Sequence, residues 1–174
     1  MTTAVVVFPG TNCEHDVVYA LGRLGIDSEL VWHRETDLSR FDAVVLPGGF
    51  AHGDYLRVGA VARFSPVMAE VKRMAEEGLP VVGICNGFQI LCEAGLLPGA
   101  LIANRDLAFI CREVEVEVTD TDTVLTRNAE LGQRLTIPSP ENATADFSQR
   151  GQRNVPQRLV ARRQLADKLL RSVT

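Results

Sequence analysis

One junction limits what this chain can fold into more than any other stretch: Pro80-Val81-Val82-Gly83-Ile84-Cys85-Asn86-Gly87-Phe88-Gln89. A short apolar run passes with almost no loop into a segment of helical pattern, Asn86–Glu93, and a cysteine stands at the join. Glycine lies two residues away on either side, at Gly83 and Gly87. This is the cysteine counterpart of the G-x-S-x-G nucleophile elbow, a strand-to-helix turn so sharp that its central residue takes strained dihedrals. Side chains two positions away would collide, hence glycine at both places. Such a turn lifts the sulfur above the carboxyl edge of a parallel sheet, where open α/β sheets bind ligands. It also sets Cys85 at a helix N-terminus, which favours thiolate over thiol, with the Asn86 N–H beside it where an oxyanion would form.

The rest of the N-terminal half fits such a sheet. Ala4–Phe8 is a valine-rich apolar run, the mark of a strand buried on both faces, and Pro9-Gly10 ends it. Thr11 or Asn12 is placed to cap a helix through Glu14–Leu24, with Val17, Val18, Leu21 and Leu24 at helical spacing and Gly25 as its stop. Ser28–His33 and Asp42–Leu46 read as strands, Pro66–Glu77 as a helix, and Leu79–Ile84 as a fourth strand. The order predicts an α/β fold, a doubly wound and mostly parallel sheet with helices on both faces. From about Ile110 the pattern changes. Arg112, Glu113, Glu115 and Glu117 interleave with Val114, Val116 and Val118, a half-exposed strand that predicts an antiparallel extension, with Leu131–Pro138 returning beside it.

A length of 174 residues suits one domain without disulfide or metal staples. Four cysteines without paired CxxC spacing argue against structural zinc and a disulfide framework, and for a reducing compartment, the cytoplasm. The N-terminus lacks the basic and apolar regions of a signal peptide, and no apolar run is long enough to span a bilayer. Net charge is −4, which disfavours non-specific nucleic-acid binding, but the average hides a split. Residues 1–138 hold 11 basic against 19 acidic side chains, whereas residues 139–174 hold 7 against 3.

A second glycine loop supports the Cys85 site. Pro47-Gly48-Gly49-Phe50 follows the third strand and so lies at the same sheet edge, where Gly49 can supply a second oxyanion donor. Cys92 lies within a helix pattern, Cys111 starts a strand and Cys13 precedes the first helix, so these three read as structural. No P-loop or dinucleotide fingerprint is present.

At Gly83-Ile84-Cys85-Asn86-Gly87-Phe88-Gln89 the sequence resembles the class I glutamine amidotransferases, whose elbow is G-x-C-x-G-x-Q. Phe8-Pro9-Gly10-Thr11-Asn12-Cys13-Glu14, Val31-Trp32-His33, Pro47-Gly48-Gly49-Phe50, Gly53-Asp54-Tyr55-Leu56-Arg57 and Glu93-Ala94-Gly95-Leu96-Leu97-Pro98-Gly99 narrow it to the glutaminase subunits of purine biosynthesis. The resemblance covers about residues 3–138 and implies flavodoxin-like layering. It implies that Cys85 attacks the side-chain amide of glutamine, that Gly49 and Asn86 donate to the oxyanion, and that Gln89, Gly48 and Phe50 hold the substrate. It further implies that ammonia passes to a large synthetase subunit, accompanied by a small accessory subunit. ATP and magnesium would belong to that synthetase, so this chain needs no cofactor or metal of its own.

A cysteine amidase also needs a general base and a carboxylate to orient it. The family draws both from a His-Pro-Glu that follows a His-Gly-Glu-Gly loop, and neither motif is found here. After Leu135-Thr136-Ile137-Pro138 the sequence continues Ser139-Pro140-Glu141-Asn142-Ala143, and no histidine follows His52. The expected division is therefore an amidotransferase-like domain over 1–138, incomplete at its C-terminal side, and a divergent basic tail over 139–174. In that tail Leu165, Leu169 and Val173 recur at helical spacing. Of the three histidines, His15 opens a helix, His33 ends a strand, and His52 follows the Gly48-Gly49 loop at a place where the family usually has tyrosine. Two further readings stand beside the glutaminase: a relative that keeps the elbow but serves as a binding or scaffold subunit, and a cysteine hydrolase or redox sensor using Glu14 as an acidic neighbour.

Overall fold

The computed structural model describes residues 1–49, 58–97, 100–103, 110–122, 125–141 and 143–146. Two compact units emerge, Met1–Leu96 and Leu97–Thr174.

The first unit is built on a parallel sheet of β1 (Thr2–Val7), β2 (Asp27–Trp32), β3 (Ala43–Leu46) and β4 (Val81–Gly83), in the order β2-β1-β3-β4. The registers pair Val5 with Leu30 on one side and with Val45 on the other, and Val45 in turn with Val82. The apolar runs dictate this placement. Ala4, Val5, Val6, Val44 and Leu46 are wholly or almost wholly buried, as strands covered on both faces require.

Between the strands run α1 (Glu14–Arg23), α2 (Val58–Ala62), α3 (Val67–Glu76) and α4 (Asn86–Glu93). Gly25 at φ 71° and Gly78 at φ 94° end α1 and α3 in the left-handed conformation that glycine adopts freely. α3 turns Val67, Met68, Val71, Met74 and Ala75 into the core. Leu38 and Phe41, in the connection between β2 and β3, are also buried there. The cap expected at Thr11 or Asn12 is replaced by Cys13, which holds the N-cap position of α1 without a side-chain cap bond. Thr11 instead closes the preceding turn: its Oγ1 accepts from the Phe8 N–H at 3.0 Å, and its own N–H donates to the Phe8 carbonyl at 3.0 Å.

In the second unit β5 (Ala100–Ala103) pairs antiparallel with β8 (Ala143–Asp146), and β6 (Ile110–Glu117) with β7 (Arg134–Glu141). The alternation read over residues 111–118 becomes β6, with Val116 buried and Glu115 bonded to Arg134 across the ladder at 2.8 Å. α2, β5 and β8 have no counterpart in the sequence reading. Each is five residues or shorter, too short for a periodicity to declare itself.

Candidate functional site

β4 ends at Gly83 and α4 begins at Asn86, which leaves Ile84 and Cys85 to make the whole turn. Cys85 takes φ 52° and ψ −113°, and among the described residues it alone has a positive φ without being glycine. A cysteine held there costs about 1–3 kcal/mol of backbone strain, which the surrounding packing must impose. The imposing contacts are visible at both glycines. A Cβ on Gly83 would stand 2.6 Å from the Gly87 carbonyl oxygen and 2.7 Å from Leu91 Cδ1. A Cβ on Gly87 would run into the Leu46 carbonyl oxygen and lie 2.6 Å from its carbon. The first turn of α4 therefore lies directly on the backbone of β3 and on the end of β4, where no side chain fits. Hydrogen bonds close the turn: Gly87 N–H to Ile84 O at 2.8 Å, Gln89 N–H to Cys85 O at 3.1 Å, and Ile84 N–H to Leu46 O at 3.0 Å.

Cys85 is partly accessible, and the preceding Ile84 is half exposed. Asn86 is buried, and its Nδ2 donates to Gln89 Oε1 at 3.0 Å. Its N–H belongs to the first turn of α4, where backbone donors have no carbonyl of their own helix to meet.

The loop after β3 reaches the same place. A Cβ on Gly48 would stand 3.0 Å from Cys85 Cβ and 3.8 Å from its Sγ, so this glycine lies against the nucleophile candidate. Gly49 packs instead on the loop after β1, where an added Cβ would be 2.7 Å from the Asn12 nitrogen. The Cys13 N–H donates to the Gly48 carbonyl at 3.2 Å, which ties the two loops together. Since β1 and β3 are neighbours between which the strand order reverses, these loops and Cys85 occupy the crevice at a topological switch point.

Phe50 and His52 lie outside the described residues. His33 donates its N–H to the Val7 carbonyl at 2.9 Å, and its Nδ1 lies 3.0 Å from Ser65 Oγ. Burial, followed by the Arg34 charge, holds its imidazole below the ordinary value. His15 is exposed on α1, 4.0 Å from the Glu14 carboxylate. The other described thiols differ in kind from a reactive one. Burial pushes Cys92 up to about 12, and burial with the neighbouring Asp16 and Glu14 charges raises Cys13. The side chain of Cys111 lies outside the described residues.

One participant escaped the sequence reading. Gly59 of α2 lies so close to α4 that a Cβ on it would be 2.7 Å from the Gln89 carbonyl oxygen. The available signal was a glycine within a run of small residues, Val58-Gly59-Ala60-Val61-Ala62, which marks a close backbone approach. Among the described residues no three His, Cys, Asp or Glu side chains form a metal-holding group, and no helix is long and apolar enough to cross a membrane.

Residues 1–168 match the model of the CobB/CobQ-like glutamine amidotransferase domain. A phosphoribosylformylglycinamidine synthase subunit PurQ of Rubrobacter xylanophilus is 53% identical over 142 residues, which cover 82% of this chain and 64% of that one. The PurQ subunit of Thermus thermophilus is 59% identical over 138 residues, 79% of this chain and 61% of its own. This chain thus spans less than two thirds of the length of these curated relatives. Among solved structures, PurLQS from Thermotoga maritima aligns with a TM-score of 0.75 at 42% identity, over 82% of this chain and 66% of that one. A glutamine amidotransferase from the same organism, at 17% identity, shares the fold with a TM-score of 0.57 over 86% of this chain and 64% of its own.

Proposed function

The chain belongs to the CobB/CobQ-like glutamine amidotransferase domain family, and from that premise we propose that it is a glutaminase with Cys85 as its nucleophile. The thiolate attacks the side-chain amide carbon of glutamine. The Asn86 and Gly49 N–H groups stabilise the oxyanion, the nitrogen leaves as ammonia after taking a proton, and a γ-glutamyl thioester remains. Water then cleaves the thioester, releasing glutamate and restoring the thiol. Gln89, Gly48 and Phe50 hold the substrate. The observation that carries this reading is the strained Cys85 backbone, wedged between two glycines that leave no room for a side chain.

The likeness to PurQ subunits supports a narrower reading. The ammonia is consumed in the ATP-dependent conversion of formylglycinamide ribonucleotide to formylglycinamidine ribonucleotide, a step of purine biosynthesis in the cytoplasm. A large synthetase subunit carries out that step with ATP and magnesium, and a small accessory subunit completes the assembly. The glutaminase step itself needs no cofactor. The thiol proton requires a base, and the candidates are His52 and a residue brought by a partner.

The test is ammonia release from glutamine by the purified chain, with and without the synthetase subunit, beside Cys85→Ala and His52→Ala. The expected result is turnover that Cys85→Ala lowers by about 10³-fold or more. Turnover unchanged in Cys85→Ala overturns the assignment. No turnover in the wild-type chain, even with the synthetase, marks the scaffold reading instead.

A further inference from the structure

α2 approaches α4 at Gly59, which is buried, as is Ala62, while Val61 between them is exposed. At Gly59 the contact is backbone on backbone. A Cβ there would lie 2.7 Å from the Gln89 carbonyl oxygen, 2.9 Å from its carbon and 2.9 Å from Glu93 Cγ. Two of these atoms belong to the backbone of a packed helix and cannot swing aside. Gln89 is in turn bound to the elbow twice, through its N–H to the Cys85 carbonyl and through its Oε1 to the Asn86 side chain. α2 therefore rests on a residue that is hydrogen-bonded to both Cys85 and Asn86.

We infer that Gly59 is a positioning residue for the glutamine subsite: it lets α2 seat on Gln89, which keeps the Gln89 side chain paired with Asn86 beside Cys85. The inference rests on the glutaminase reading above. Without that seat Cys85 keeps its strained turn, because Gly83, Gly87 and Leu46 impose it. What is lost is the alignment of an amino-acid substrate over the sulfur.

Two electrophiles separate these effects. Iodoacetamide alkylates an accessible thiolate without needing a subsite. The glutamine-shaped 6-diazo-5-oxo-L-norleucine must first dock; its diazo carbon takes a proton, the thiolate displaces dinitrogen, and a thioether remains. In Gly59→Ala the iodoacetamide rate on Cys85 should stay near the wild-type value, whereas labelling by the diazo reagent should fall by about tenfold or more, mainly through a higher half-saturating concentration. Ala62→Gly, which loosens α2 without a clash, should shift the diazo reagent in the same direction by roughly threefold. Gly22→Ala serves as the control, since a Cβ there meets nothing within 4 Å.

Diazo labelling unchanged in both variants overturns the inference, and so does an equal slowing of both reagents. Should Gly59→Ala fail to fold, Ala62→Gly decides by the same criteria. A wild-type chain that, even with the synthetase subunit present, takes iodoacetamide but not the diazo reagent overturns the glutaminase reading together with the inference, an outcome distinct from loss of the inference alone.

Discussion

Cys85 shows how a single position collects several constraints. Its φ of 52° places it where an L-residue is disfavoured, and the contacts at Gly83 and Gly87 prevent the turn from relaxing. It remains partly accessible at the head of α4. Cys92, about two turns beyond Cys85 along the same helix, is buried, and that burial, followed by the Glu93 charge, pushes it up to about 12. Near neutral pH, iodoacetamide should therefore modify Cys85 well before Cys92, and before Cys13 with its raised value. Peptide mapping after a short pulse reads the order directly. Equal rates at the three thiols would show that the elbow confers no reactivity.

At the scale of elements, α3 shows what periodicity reveals and what it conceals. The buried stripe of Val67, Val71 and Met74 follows from helical spacing. The polar side does more than face water. Glu70 Oε2 accepts the Leu38 N–H at 3.2 Å and pairs with Arg73 at 2.9 Å, so α3 fastens the connection between β2 and β3. The Arg73 hydrogen bond first, and the Leu38 bond second, hold the Glu70 carboxyl below its ordinary value of 4.5. Because the folded value is the lower one, ionised Glu70 stabilises the fold above the ordinary value, and that contribution is lost as pH falls through the folded value. Glu70→Gln should lower the urea midpoint at neutral pH, by a modest amount since the side chain is 20% exposed. The gap to wild type should narrow as the pH drops below 4.5. A gap that holds steady through acid titration would exclude the Glu70 charge as its cause. α2 lay beyond such reasoning: five residues make little more than one turn, so neither its existence nor its inward face is written in a repeat.

For the molecule as a whole, the order β2-β1-β3-β4 puts the most apolar strands in the middle of the first unit's sheet. Val5, Val6 and Val44 are inaccessible, whereas Leu30 and Trp32 of β2 are about half exposed. Local opening draws on the regions with the fewest buried contacts. Backbone amides of β1 and β3 should accordingly exchange with deuterium slowest, and those of β2 sooner. Protection of β2 matching that of β1 would contradict this order. The same order produces the site. Loops after β1 and β3 meet across the switch point, joined by the Cys13–Gly48 hydrogen bond, and the turn after β4 brings Cys85 against Gly48.

The amino-acid sequence by itself determined the elbow, the four parallel strands and the stripe of α3, because each follows from local sterics or a repeat of two or 3.6 residues. Glycines flanking a cysteine, valine runs and helical spacing need no distant partner to be legible. Only the tertiary structure decided which backbones touch: Gly49 on Asn12, Gly87 on Leu46, Gly59 on Gln89. Those contacts join segments far apart in the chain through atoms that every residue shares. Glycine marks where such an approach is permitted, and the packing of the sheet and its helices determines which surface arrives there.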